Sequence, residues 1–177
     1  MQKLSYIPKY TYEDYQHWED PWELIEGIPY AMTPLPSIRH QNLSGNIHFQ
    51  LKSLLKTCGQ CRAFLPINWK ISEDTILQPD NCVVCDEIVE NYLTHAPILI
   101  FEILSPSTAL KDKNIKYQLY QEQGVQYYII VNPQTNGAEV FELKKQSYEK
   151  LADVRNETIL FNLGECQISF DFSQIWD

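Results

Sequence analysis

The chain has 177 residues, 44% of them hydrophobic, enough for one domain with a sizeable core. Its formal charge of −9 and pI near 4.9 argue against nucleic-acid binding through a broad basic face. No apolar run approaches the length of a membrane helix, and Met1 to Tyr6 opens the chain without an apolar signal core, so the expected location is the cytoplasm and no membrane partner is expected.

In chain order, Thr11 to Asp14 has the pattern of a helix start, with Thr11 as N-cap and Asp14 as its reciprocal partner. A second short helix is expected after Asp20-Pro21, carrying Glu23 and Glu26 near one face and ended by Gly27. Ile28 to Met32 then reads as an edge strand that tolerates Pro29. From Pro34 to Lys56 the leucines and Ile47 recur at helical spacing, with Ser37 as N-cap. His40, Ser44 and His48 lie on a neighbouring stripe. Arg62 to Ile71 reads as a strand, Ser72 to Thr75 as a turn, and Cys82 to Cys85 and Ile98 to Leu104 as buried strands. A helix over Ala109 to Glu122, capped by Ser107 or Thr108 and ended at Gly124, leads into a buried strand over Val125 to Val131. Strand-helix-strand in that order implies a parallel crossover unit. Three further strands, Ala138 to Lys144, Ser147 to Leu151 and Thr158 to Phe161, complete an α/β (mixed α+β) chain. No repeat, linker or low-complexity tract interrupts it.

Five cysteines include two C-x2-C pairs, Cys58/Cys61 and Cys82/Cys85, at a loose zinc spacing. Cys82-Val-Val-Cys85 reads as strand, where residues three apart point to opposite faces, so zinc is not expected. Free thiols are, since an intracellular setting disfavours disulfides.

Two carboxylates stand out. Asp80 opens one apolar strand and Glu102 sits inside the next, and a carboxylate so placed is costly unless a cation or a metal meets it. Mg²⁺ takes oxygen ligands and is commonly held by one or two carboxylates. Phosphodiester hydrolysis needs what such a cation supplies: an activated water and charge stabilisation on phosphate. Lys116, on the helix that follows Glu102, is the candidate amine beside them.

The segments Gln78-Pro79-Asp80, Phe101-Glu102-Ile-Leu-Ser105-Pro-Ser-Thr108, Asp112-Lys-Asn-Ile-Lys116-Tyr117 and Gly124-Val-Gln-Tyr-Tyr128 resemble the PD-(D/E)XK nuclease superfamily. Specifically they resemble its restriction-endonuclease-like branch expanded in cyanobacteria, most of whose members are uncharacterised. Glu23 to Gly27 and Pro34 to Ser37 resemble that branch's N-terminal segment. The resemblance implies one restriction-endonuclease-like domain over 1–177: an N-terminal segment 1–33, a core 34–133 with a central mixed sheet flanked by helices, and C-terminal strands 134–177. It implies a Mg²⁺- or Mn²⁺-dependent endonuclease acting on DNA, with Asp80, Glu102 and Lys116 as catalytic residues. Asp80 and Glu102 are the implied metal ligands, and Glu26 the third. His40, Gln41, Asp112 and Lys113 are candidates for lining the cleft. The superfamily pattern places a lysine at position 104, but the chain has Leu104, and Lys116 on the following helix stands in for it. A homodimer suits the cutting of two antiparallel strands. The alternative function is a nuclease-fold protein without catalysis that binds nucleic acid or a protein partner.

Overall fold

The computed structural model describes residues 7–32, 35–106 and 111–176, the side chains of residues 111 and 112 excepted. Among the described residues the fold has three sheets and three α-helices. The central sheet has six strands in the order β10-β9-β8-β7-β6-β3: β3 is Arg62–Phe64, β6 Asn81–Val84, β7 Leu99–Ile103, β8 Tyr127–Asn132, β9 Gly137–Lys144 and β10 Ser147–Val154. It is mixed. The β7–β8 pair is parallel, joined by the crossover expected from the sequence, and its other neighbours are antiparallel. β6, β7 and most of β8 are buried along their whole length, as continuous apolar runs require.

The two faces of this sheet carry different covers. Helix α2, Ile38–Leu54, packs on one face together with a hairpin formed by β11 (Thr158–Asn162) and β12 (Gln167–Asp171). Leu43, Ile47 and Leu51 of α2 meet Val83, Phe101 and Ile129 there, and Phe161, Phe170 and Phe172 close the layer. Ser37 caps α2 as expected, its Oγ accepting from His40 N at 3.2 Å. The second face holds Cys82, Ile100, Tyr128 and Ile130 beneath helix α3, Tyr117–Glu122, and beneath part of a four-stranded antiparallel sheet. That smaller sheet runs β2-β1-β5-β4, with β1 Trp22–Ile25, β2 Ile28–Ala31, β4 Trp69–Ser72 and β5 Thr75–Leu77. Its far side shelters Leu24 and Ile76 under Tyr15 of the one-turn helix α1, Tyr12–Tyr15. Asp14 closes the start of α1, accepting from Thr11 N at 2.8 Å and Thr11 Oγ1 at 3.0 Å.

Four expectations change. Residues 22–25 are a strand, not a helix: Trp22 and Ile25 favour extended backbone, and Glu26 and Gly27 take positive φ (51° and 80°) in the two-residue turn that joins β1 to β2. The strand read over Arg62 to Ile71 is two strands belonging to different sheets, parted around Pro66. Among the described residues a fourth strand, β12, follows the three expected after Pro133 and pairs with β11. The four cysteines outside β6 are joined, Cys58 to Cys166 and Cys61 to Cys85, and Cys82 is the free thiol. Tertiary folding brings Cys166 to Cys58 across 108 residues, which no local pattern reports. The caps at Ser107 and Thr108, the helix start at Ala109, and Pro34 lie outside the described residues. From Lys111 to Lys116 the helix is wound as a π-helix before α3 begins.

Gly27 gives a direct test of the turn. A Cβ added there meets Lys9 Cβ at 2.9 Å and Tyr10 O at 3.3 Å, on backbone at φ 80°. Gly27→Ala is expected to cost about 1–2 kcal/mol or somewhat more, read as a lower urea midpoint at unchanged slope.

Candidate active site

The site forms where the two larger sheets meet. β5 ends at Leu77, and Gln78-Pro79-Asp80 carries the chain directly into β6. This short corner orients a carboxylate at each of its ends. At one end, Gln78 N donates to Glu23 Oε1 of β1 at 2.9 Å. Gln78 is itself held by its side-chain amide, which donates to Asn68 Oδ1 at 2.7 Å and to the Tyr15 hydroxyl at 3.0 Å. At the other end, Asp80 Oδ2 accepts from Ile103 N of β7 at 2.8 Å and lies 3.2 Å from His40 Nε2 of α2. The Asn81–Phe101 pair of β6 and β7 and the bond to Ile103 N place Asp80 beside the end of β7 that carries Glu102.

Lys116 closes the site from the other side. It stands where the π-helix passes into α3, and its Nζ lies 2.8 Å from Glu102 Oε1 and 2.9 Å from Glu23 Oε1. Glu23 is 0% exposed, and Glu102 and Lys116 are 2% exposed each. Charges this deep persist only when paired and hydrogen-bonded. Tyr120, one turn along α3, supplies a further bond, its hydroxyl donating to Glu102 Oε1 at 2.6 Å. Burial, reinforced by the Glu102 and Glu23 charges, holds the Tyr120 phenol well above its ordinary value, so it remains a donor throughout the working pH range. Its ring stacks on Trp69, centroids 5.8 Å apart, and meets Tyr128 edge-on at 5.1 Å. Tyr120→Phe removes the hydroxyl and keeps the packing. It is expected to cost about 1.5–3 kcal/mol in thermal or urea unfolding, the usual worth of a hydrogen bond to a charged group.

Among the residues singled out in the sequence, the structure pairs Lys116 with Glu102, and Asp80 with His40 and with the Ile103 amide next to Glu102. Glu26 is not among them: it lies exposed in the β1–β2 turn, and Glu23, three residues earlier, takes the place beside Lys116. One signal in the sequence pointed to Glu23, the run Trp22-Glu23-Leu24-Ile25, which buries a carboxylate among strand formers just as the Glu102 run does. Gln41 is exposed and donates to Pro36 O. Lys113 lies at the surface, 3.4 Å from Glu139. The side chain of Asp112 is outside the described residues. Leu104, where the superfamily pattern has lysine, packs half-buried against the layer that includes Tyr128 and Ile130.

Oxygen donors of this kind suit a hard divalent cation. Asp80 Oδ2 is committed to Ile103 N and His40, while Oδ1 makes no hydrogen bond among the described residues and is open for a ligand. Glu23 and Glu102 set two carboxylates against the Lys116 ammonium. No cluster of three or more His, Cys, Asp or Glu forms a ready cage among the described residues. Two carboxylates with water completing the shell are what Mg²⁺ commonly accepts.

The sequence profile of the Uma2 family, described as "Putative restriction endonuclease", matches residues 12–166. The chain belongs to the Uma2 family. The match runs from α1 to the turn before β12 and so takes in every residue of the site. The Uma2 chain also has the fold of a crystal structure titled as a putative nuclease belonging to DUF820 from Anabaena variabilis. The TM-score is 0.74 at 19% identity, over 94% of this chain and 97% of that one. No curated protein matches this Uma2 chain. Among the described residues, none of its helices is long and apolar enough to cross a membrane.

Proposed function

We propose that the chain is a Mg²⁺- or Mn²⁺-dependent endonuclease that hydrolyses DNA phosphodiester bonds. The observation that supports this most is the Lys116 ammonium 2.8 Å from Glu102, on the strand whose Ile103 N–H donates to Asp80. The helix supplies the amine that relatives in the superfamily are expected to carry on the strand. Asp80 and Glu102 are the residues that would hold the metal ion. When bound, it would supply an activated water and neutralise charge on the phosphate. Glu23 and Tyr120 fix Lys116 and Glu102 in place, and the Ile103 amide and His40 fix Asp80. Preorganised charge of this sort costs no rearrangement when the phosphate's charge develops. Two chains related by a two-fold axis would present two such sites to the antiparallel strands of a duplex.

The depth of Glu23, Glu102 and Lys116 favours a second reading, in which the cluster is a structural ion pair and the chain binds nucleic acid or a protein without cutting. Supercoiled plasmid incubated with the purified chain separates the two. Nicked circles with Mg²⁺ or Mn²⁺, and none with a chelator, support the nuclease. Retarded but intact plasmid with either metal sinks that reading and leaves the binder.

A further inference from the structure

The cysteines divide by face. Cys82 lies in the layer under α3, where burial, with the Glu102 charge adding, pushes its thiol up to about 12 and leaves it a neutral hydrophobe. Cys58 and Cys61 belong to the opposite layer, and Cys85 and Cys166 pack against that same layer. We propose that Cys58, Cys61, Cys85 and Cys166, once reduced, form a structural zinc site that pins the β11–β12 hairpin to the end of α2.

The geometry rests on one turn. Cys58-Gly59-Gln60-Cys61 closes with Cys61 N donating to Cys58 O at 3.0 Å, and the ends of such a turn lie within about 7 Å. Cys58 is joined to Cys166, their Cα atoms 5.6 Å apart, and Cys61 to Cys85, their Cα atoms 3.9 Å apart. Four sulfurs therefore gather around a single turn, two from a C-x2-C knuckle and one each from the end of β6 and the bend between β11 and β12. A tetrahedral set of four thiolates selects zinc among common divalent ions. The pairing considered from the sequence used Cys82 in this role. Cys82 is on the wrong face, and Cys166, distant in sequence, supplies the missing ligand.

Bonded as disulfides, the four sulfurs offer no ligand, in keeping with the absence of a ready cage among the described residues. A dithiol reductant converts them: each disulfide takes up two electrons and two protons, and the reductant closes to its own disulfide. Zn²⁺ then binds four thiolates and releases up to four protons. The site is on the opposite face of the central sheet from Glu102 and Lys116, so the inference stands apart from the nuclease reading.

The test uses the full chain, purified under a dithiol reductant and supplied with Zn²⁺ alone. Elemental analysis after gel filtration is expected to find one zinc per chain. That zinc should be retained by Cys82→Ser and lost by Cys58→Ser and Cys166→Ser. Four thiols should resist alkylation until a chelator is added, and the chelator should lower the melting temperature. Should a serine variant fail to fold, Co²⁺ added to the reduced wild type reads the same ligands through tetrathiolate absorption bands. A folded, reduced wild type that takes up neither metal overturns the proposal, as does one whose four cysteines stay oxidised under the reductant.

Discussion

Replacing Asp80 by asparagine is expected to slow metal-dependent DNA cleavage by about a thousandfold while the fold stays intact. An amide keeps an oxygen for the Ile103 N–H, which Asp80 Oδ2 accepts at 2.8 Å, so the β6–β7 corner holds its shape. The change removes the charge that would bind the cation, and with it several kcal/mol of charge stabilisation. About 4 kcal/mol corresponds to three powers of ten in rate. Initial nicking rates at saturating Mn²⁺, with the unfolding midpoint measured alongside, check the result. An Asp80→Asn chain that cuts at the wild-type rate removes Asp80 from the metal site.

The second large effect concerns stability. Lys116→Ala leaves Glu23 and Glu102 buried against each other without the ammonium between them. Breaking a buried pair in this way typically costs about 3–5 kcal/mol, a large share of the stability of a domain this size. A sharp drop in the urea midpoint is expected. Neutralising both carboxylates, as in Lys116→Met with Glu23→Gln and Glu102→Gln, should recover much of the loss, because the single change removes the ammonium that faces both charges. If the triple variant is no more stable than Lys116→Ala, the cost lies in packing around the α3 start and the electrostatic account fails.

Legibility of the chain differed with the range of the interaction. Glu102 was visible because an ionised group inside Leu99–Ile103 cannot be left without a partner, and Lys116 because the crossover returns its helix over that strand. β6, β7, α2 and β8 followed from apolar runs, spacing and caps that local sequence carries. Asp20-Pro21 imitates a helix start and so hides the strand over 22–25, and the resemblance that points to Glu26 does not separate it from Glu23, which the turn at Glu26-Gly27 parts from it. Which sheet each half of 62–71 joins, and which cysteine reaches Cys58, depend on contacts far apart in sequence that no window contains.

The ion pairs at Lys116 have a bearing on how the molecule comes to be made. Glu23 enters early in synthesis and Lys116 much later, and their contact joins strands of the smaller sheet to the crossover helix across the corner at Gln78-Pro79-Asp80. Contacts between such distant segments form late, because closing the intervening chain is costly until the rest is assembled. Nascent and half-folded chains would consequently lack the complete site. In a cell full of DNA, any cutting ability would then arrive with the last step of folding and disappear with the first step of unfolding.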